Sequence, residues 1–189
     1  MASTEAGAAS APDPARALRD VLSLFPTGVA VITSLTAEGE RLGATVSSFN
    51  SVSLDPPLVL FSIARNAKSF AAWSGVDCFA VNILHESQSP VSNQFARSMG
   101  DKWAGLDPLR AETTGVPLLR SALAWLECRT WAQYDGGDHL IIVGRVLAHE
   151  RMIGADARPL VFSGSRYARL AAASDIATPD HVGHLLHGW

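Results

Sequence analysis

The run GATVSSFNSVSLDPP, Gly43 to Pro57, places five hydroxyl side chains within nine residues yet carries the apolar punctuation of a β-strand. In an extended chain alternate side chains share a face. Thr45, Ser47, Ser51 and Ser53 then point one way around Phe49, and Val46, Ser48, Asn50, Val52 and Leu54 point the other. Buried without partners, each hydroxyl costs about 1–3 kcal/mol. A wholly solvated face gives no reason for Phe49 in its middle. A polar ligand resolves the conflict, and an edge strand with a solvated Ser/Thr face is the alternative reading.

Short β-branched runs flank this stretch: GVAVITSL from Gly28, PLVLFSIA from Pro57 and CFAVNIL from Cys78. Glu38-Gly39-Glu40 predicts a tight antiparallel turn between the first strand and the hydroxyl run. Later, ALAWLECRTWAQY and HLIIVGRVLAHERM flank Asp135-Gly136-Gly137-Asp138, a hairpin signal because consecutive glycines supply positive φ angles. A short PLVF follows from Pro159. Helices are predicted over Asp13–Leu24, with Asp13 as N-cap and Pro14 at the first position, over NAKSFAAWS from Asn66, and over SQSPVSNQFARS from Ser87. The resulting expectation is a mainly β protein: an antiparallel six- or seven-stranded barrel with peripheral helices, occupying residues 13–170 between a flexible leader (1–12) and a C-terminal tail (171–189).

Composition narrows the function classes. Fifteen Lys and Arg against eighteen Asp and Glu, a net charge of -3 and no basic run leave no footprint for nucleic acid. No apolar run approaches the roughly 18 residues of a membrane helix, and MASTEAGAASAPDPAR lacks the features of a signal peptide, so a cytoplasmic location is expected. Cys78 and Cys128 read as reduced core cysteines. His181, His184 and His187 recur every third residue, but no carboxylate or cysteine completes a metal site, and a lightly docked tail is expected. His85 and His149 stand alone. Trp73, Trp125 and Trp131 read as core or subunit-interface packing.

The segment SIARNAKSFAAW adds Lys68 and Ser69 in what reads as the first turn of a helix, where free N–H groups gather anions. Hydroxyls, a lysine and a helix start suggest a phosphate pocket, although a lysine taken alone is more often a solvated surface residue. Read together and in order, FPTGVAVITS, GATVSSFNSVSLDPPLVLFSIARNAKS, FAVNIL, FARSMGDKWAG and GGDHLIIVGRV resemble the flavin reductase family with the FMN-binding split-barrel fold, the reductase components of two-component flavin monooxygenases.

That resemblance implies NAD(P)H:flavin oxidoreductase activity: hydride passes from NADH or NADPH to FMN or FAD, and reduced flavin goes to a separate monooxygenase. It implies a homodimer. It places Thr45, Val46, Ser47, Ser48 and Ser51 along the flavin, Ser62, Ile63 and Ala64 against its ring, and Lys68 and Ser69 at its phosphate. Asn82, Phe95, Ala96 and Arg97 would close the pocket. His139 would contact the nicotinamide; by itself it reads as a residue capping the hairpin turn. Lys102, Trp103, Arg166 and Tyr167 match positions near the site. The chain has no GxGxxG, GxxxxGK, HExxH or GxSxG, so Rossmann, P-loop, zincin and hydrolase chemistry are unsupported. A flavin carrier without turnover, and a flavoenzyme acting directly on another small molecule, are the alternatives.

Overall fold

The computed structural model describes residues 13–152 and 157–171. Three helices, α1 (Pro14–Leu22), α2 (Phe70–Ser74) and α3 (Ser89–Ala96), accompany twelve strands among these residues. The strands are β1 (Thr27–Gly28), β2 (Ala30–Leu35), β3 (Arg41–Val46), β4 (Asn50–Leu54), β5 (Pro57–Ala64), β6 (Cys78–Ile83), β7 (Leu109–Arg110), β8 (Pro117–Leu118), β9 (Ala124–Gly136), β10 (His139–Arg151), β11 (Val161–Ser163) and β12 (Arg166–Ala168). Seven of them form one antiparallel sheet in the order β3-β2-β6-β9-β10-β5-β4. This is the mainly β architecture the sequence predicts. The leader and the three tail histidines fall outside the described residues.

The sheet has to curl. Laid flat, its two edge strands β3 and β4 would stand about 29 Å apart, six spacings of ~4.8 Å. Yet only residues 47–49 join Val46 to Asn50, a reach of at most ~14 Å. Curling also explains why Phe61 on β5 meets Phe79 on β6 with ring centroids 4.9 Å apart, although β10 and β9 separate those strands in the ladder. Ile32, Phe61, Phe79, Val81 and Ile142 fill the interior. Val31, Leu84, Phe95 and Leu160 pack on the outer side beneath α3, so β2 is buried on both faces; its first half is apolar, and the buried hydroxyls of Thr33 and Ser34 are satisfied by the carbonyls of Pro117 and Cys78.

The hydroxyl run is two strands and not one, a correction to the sequence reading. Residues 41–46 pair with β2 and residues 50–54 with β5, and the chain changes partner through Ser47, Ser48 and Phe49. A register shift between Ser51 and Ser53 breaks the alternation again. The predicted single hydroxyl face therefore does not exist. All three helices are also shorter than predicted, α3 by two residues at each end. α1 stops at Leu22 with Asp13 capping Ala15 N as expected, and residues 65–69 form turns before the five-residue α2.

Two glycines are demanded by close approach. A Cβ on Gly43 would overlap the Phe95 ring of α3, and one on Gly144 of β10 would overlap the Phe79 ring and crowd Cys128. Because Phe79 is wedged against Phe61, Gly144→Ala should destabilise the fold by about 1–3 kcal/mol, read as a lower urea midpoint at unchanged slope. The two cysteines are free; burial pushes the Cys128 thiol up to about 12 and raises that of half-buried Cys78. No helix among the described residues is long and apolar enough to cross a membrane.

Candidate active site

The change of partner at residues 47–49 creates the site. No ladder joins β3 to β5, so the two strands separate below the point where Ser48 Oγ accepts from Ser62 N at 3.0 Å. Between them lies a cleft of about 620 Å3, within the roughly 300–1,000 Å3 usual for ligand sites. β3 forms one wall from Arg41 to Val46, continued by Ser47 and Ser48. Ser62, Ile63 and Ala64 at the end of β5, with Ala67, Lys68 and Ser69, form the other, and Trp73 lies behind them.

A strap from the end of α3 to Trp103 closes the third side. It is sewn down at several points: Lys102 Nζ donates to the carbonyls of Gly43 and Phe95, both at 3.0 Å, and Gln94 Nε2 donates to those of Lys102 and Ala104. Trp103 stacks edge-on against Phe95 with centroids 4.9 Å apart. Partial burial holds the Lys102 ammonium below its ordinary value. Met99, exposed on this strap, receives a 2.6 Å contact from Lys68 Nζ across the mouth.

His139 enters from the start of β10, opposite Ala64 in the ladder. Its Nδ1 is 2.7 Å from Asp138 Oδ1, and this hydrogen bond, followed by the imidazole's charge, holds the Asp138 carboxyl below its usual range. Arg65 fixes the hairpin tip by donating to Gly137 O and to Asp135 Oδ1 at 2.7 Å. The imidazole is thus held by the residue before it, on a hairpin tip that Arg65 fixes.

The structure brings Thr45, Val46, Ser47, Ser48, Ser62, Ile63, Ala64, Lys68, Ser69, Phe95, Ala96, Arg97, Lys102, Trp103 and His139 to one cleft. It does not bring Ser51, Asn82, Arg166 or Tyr167 there. Ser51 lies past the partner change, exposed on β4. Asn82 is fully buried, donating to Val31 O and Thr33 Oγ1 and accepting from Leu119 N. Tyr167 Oη bonds Ser92 Oγ and Asn93 Oδ1, fastening α3 to the small β1-β11-β12 sheet, and Arg166 is exposed on β12. Thr45 spends its hydroxyl hydrogen on Ser92 O, leaving oxygen lone pairs only. Sequence reading missed Arg41, Leu42, Gly43 and Asp101; the strand's N-terminal side gave no signal beyond its adjacency to the hydroxyls.

The lining suits a flat apolar ring with a hydroxylated, phosphorylated tail. Aliphatic walls, serine hydroxyls and the cations Arg41, Lys68, Arg97 and Lys102 meet a single carboxylate, Asp101, in a chain of net charge -3. Such a concentration focuses anions. The indole N–H groups of Trp73 and Trp103 are buried without an acceptor.

The family model described as the flavin reductase like domain matches residues 22–171. The FMN reductase (NADH) SmoA of Agrobacterium fabrum is 44% identical over 156 residues, 82% of this chain and 86% of that one. The stachydrine N-demethylase reductase subunit Stc3 of Rhizobium meliloti is 44% identical over 133 residues, 70% of this chain. The chain spans 57% of Stc3 and 43% of a further Rhizobium meliloti relative, about half the length of each. Among solved structures, the NADH:FAD oxidoreductase SgcE6 of Streptomyces globisporus C-1027, in complex with NAD and FAD fragments, superposes with a TM-score of 0.79 at 37% identity, covering 88% of this chain and 100% of that one. With its curled sheet, its split between β3 and β5 and a match from Leu22 onward, this chain belongs to the flavin reductase like family.

Proposed function

We propose that the protein is an NAD(P)H:flavin oxidoreductase that supplies reduced FMN or FAD to a separate monooxygenase. The observation that carries this reading is the convergence, in one open cleft, of serine hydroxyls, a ring of cations and an anchored His139. When both are bound, the nicotinamide supplies a hydride from C4 and the flavin takes it at N5. The chain supplies alignment. Ile63 and Ala64 offer a wall for the ring, Ser47 and Ser48 hydroxyls for the ribityl chain, and Lys68 with Ser69 a seat for phosphate. Lys68 would exchange its contact with Met99 for the stronger one with an anion. The hydrogen bond from Nδ1 to Asp138 leaves Nε2 as the ring atom of His139 free to meet the nicotinamide.

A supplier has to release its product. At micromolar affinity and an on-rate of ~10⁶ M⁻¹s⁻¹ a flavin leaves in about a second; at nanomolar affinity it stays for many minutes. An open cleft with a handful of hydroxyl bonds fits the first regime. We further infer that residues 13–170 are the working unit and that a second copy covers the exposed Val52 and Leu54 of β4, Trp131 and Tyr134 of β9 and Leu147 of β10. The free cysteines suit a cytoplasmic setting.

The test is NADH and NADPH oxidation in air with riboflavin, FMN and FAD in excess. Rapid consumption is expected. Flavin binding without consumption defeats the enzyme in favour of a carrier, and a flavin that stays bound through gel filtration defeats the supplier. In the same assay Lys68→Ala should raise KM for FMN roughly tenfold while leaving riboflavin within twofold. An unchanged preference removes Lys68 from the phosphate.

A further inference from the structure

Arg41 opens β3 at the mouth of the cleft, on the wall opposite Lys68. Its side chain is exposed, and among the described residues it makes no ion pair and no side-chain hydrogen bond. What holds it is the Trp103 ring, over whose face its guanidinium carbon lies 5.7 Å from the centroid. An arginine stacked on a buried indole, with all its donors unspent, is a preorganised fork for phosphate oxygens. Of the other cations, the two lysines already have partners, Met99 for Lys68 and backbone carbonyls for Lys102, and Arg97 sits on the strap. Lys102 gives its hydrogens to Gly43 and Phe95 carbonyls, while Lys68 and Arg97 suffice for the roughly two charges of one phosphate. Arg41 is a further cation on the far wall, beyond what a mononucleotide needs.

We propose that Arg41 is a specificity residue of this cleft that binds the diphosphate of a dinucleotide, an inference that rests on the flavin reductase reading above. The diphosphate belongs either to FAD or to the reduced nicotinamide dinucleotide, which share this chemistry. Arg41→Met keeps an apolar stem over Trp103 and removes the charge, and Arg41→Lys restores charge without the planar fork. Equilibrium dissociation constants for riboflavin, FMN and FAD are measured by flavin fluorescence at two salt concentrations, with KM for NADH and for reduced nicotinamide mononucleotide alongside.

If the flavin is the source, Arg41→Met weakens FAD roughly tenfold, leaves FMN and riboflavin within twofold, and flattens the salt dependence of FAD binding, with partial recovery in Arg41→Lys. If the nicotinamide is the source, KM for NADH rises by the same factor and that for the mononucleotide does not. Equal weakening of all three flavins, or no change in any constant, overturns the proposal. Wild-type protein that binds FAD but oxidises no NADH defeats the enzymatic reading, while the ratio of FAD to FMN affinity still decides the role of Arg41.

Discussion

Replacing Asn82 by Leu should lower the free energy of unfolding by about 3–5 kcal/mol, among the largest losses available to a single substitution in this fold. Asn82 stands in the middle of β6 with no solvent exposure. Its amide nitrogen donates to Val31 O and Thr33 Oγ1, both at 3.0 Å, and its oxygen accepts from Leu119 N at 2.8 Å. One side chain thereby ties β2, β6 and the segment after β8 together. Leucine keeps the branch at Cγ, but its methyls are bulkier than the amide and cannot sit 2.8–3.0 Å from polar atoms, so crowding adds to the main loss: the Leu119 N–H is left dry without an acceptor, and Val31 O and Thr33 Oγ1 each lose a donor. Urea denaturation followed by circular dichroism measures the effect. The same experiment separates this reading from a flavin contact. A cofactor ligand would change flavin affinity at nearly unchanged stability, whereas the buried network predicts a large fall in stability and normal affinity in whatever fraction remains folded.

His139→Ala should reduce kcat/KM for NADH about a hundredfold while moving the flavin dissociation constant less than threefold. The imidazole lies at the cleft, held by Asp138, on backbone placed opposite Ala64 in the ladder. A group placed there orients the second reactant more than it retains the first. Because its side chain is partly exposed, its removal leaves no cavity and the fold should stay intact. Stopped-flow reduction of the flavin by NADH, with binding measured separately, provides both numbers. Equal loss in the two, or no loss in either, would defeat the assignment.

Local chemistry was enough to find most strands. β5 and β6 are apolar runs bounded by turn residues, and the glycines at 136 and 137 announce the β9–β10 hairpin, where Gly137 has φ 74°. The partner change at residues 47–49 was hidden. Extended backbone on both sides of Ser47 to Phe49 has the same residue preferences, and only the ladders to β2 and β5 distinguish one strand from two. Asn82 and Tyr167 were hidden for a related reason: their partners are 37 to 75 residues away in the chain, so a buried clamp and a ligand contact look identical in sequence. Arg41 was invisible because its significance comes from Trp103, which the strap carries back to β3 from the far end of α3.

The gap between β3 and the end of β5 also bears on how a guest travels. A closed cylinder would have to break rungs to admit a ligand between its staves, and each passage would then wait on that rupture. Here the rungs are missing from the outset, so loading and discharge leave the hydrogen-bonded framework undisturbed, and across the mouth only the contact between Lys68 and Met99 has to part. The proposed role of handing on a perishable electron carrier calls for such a berth: rigid in its staves, and with no door to unhinge at each delivery.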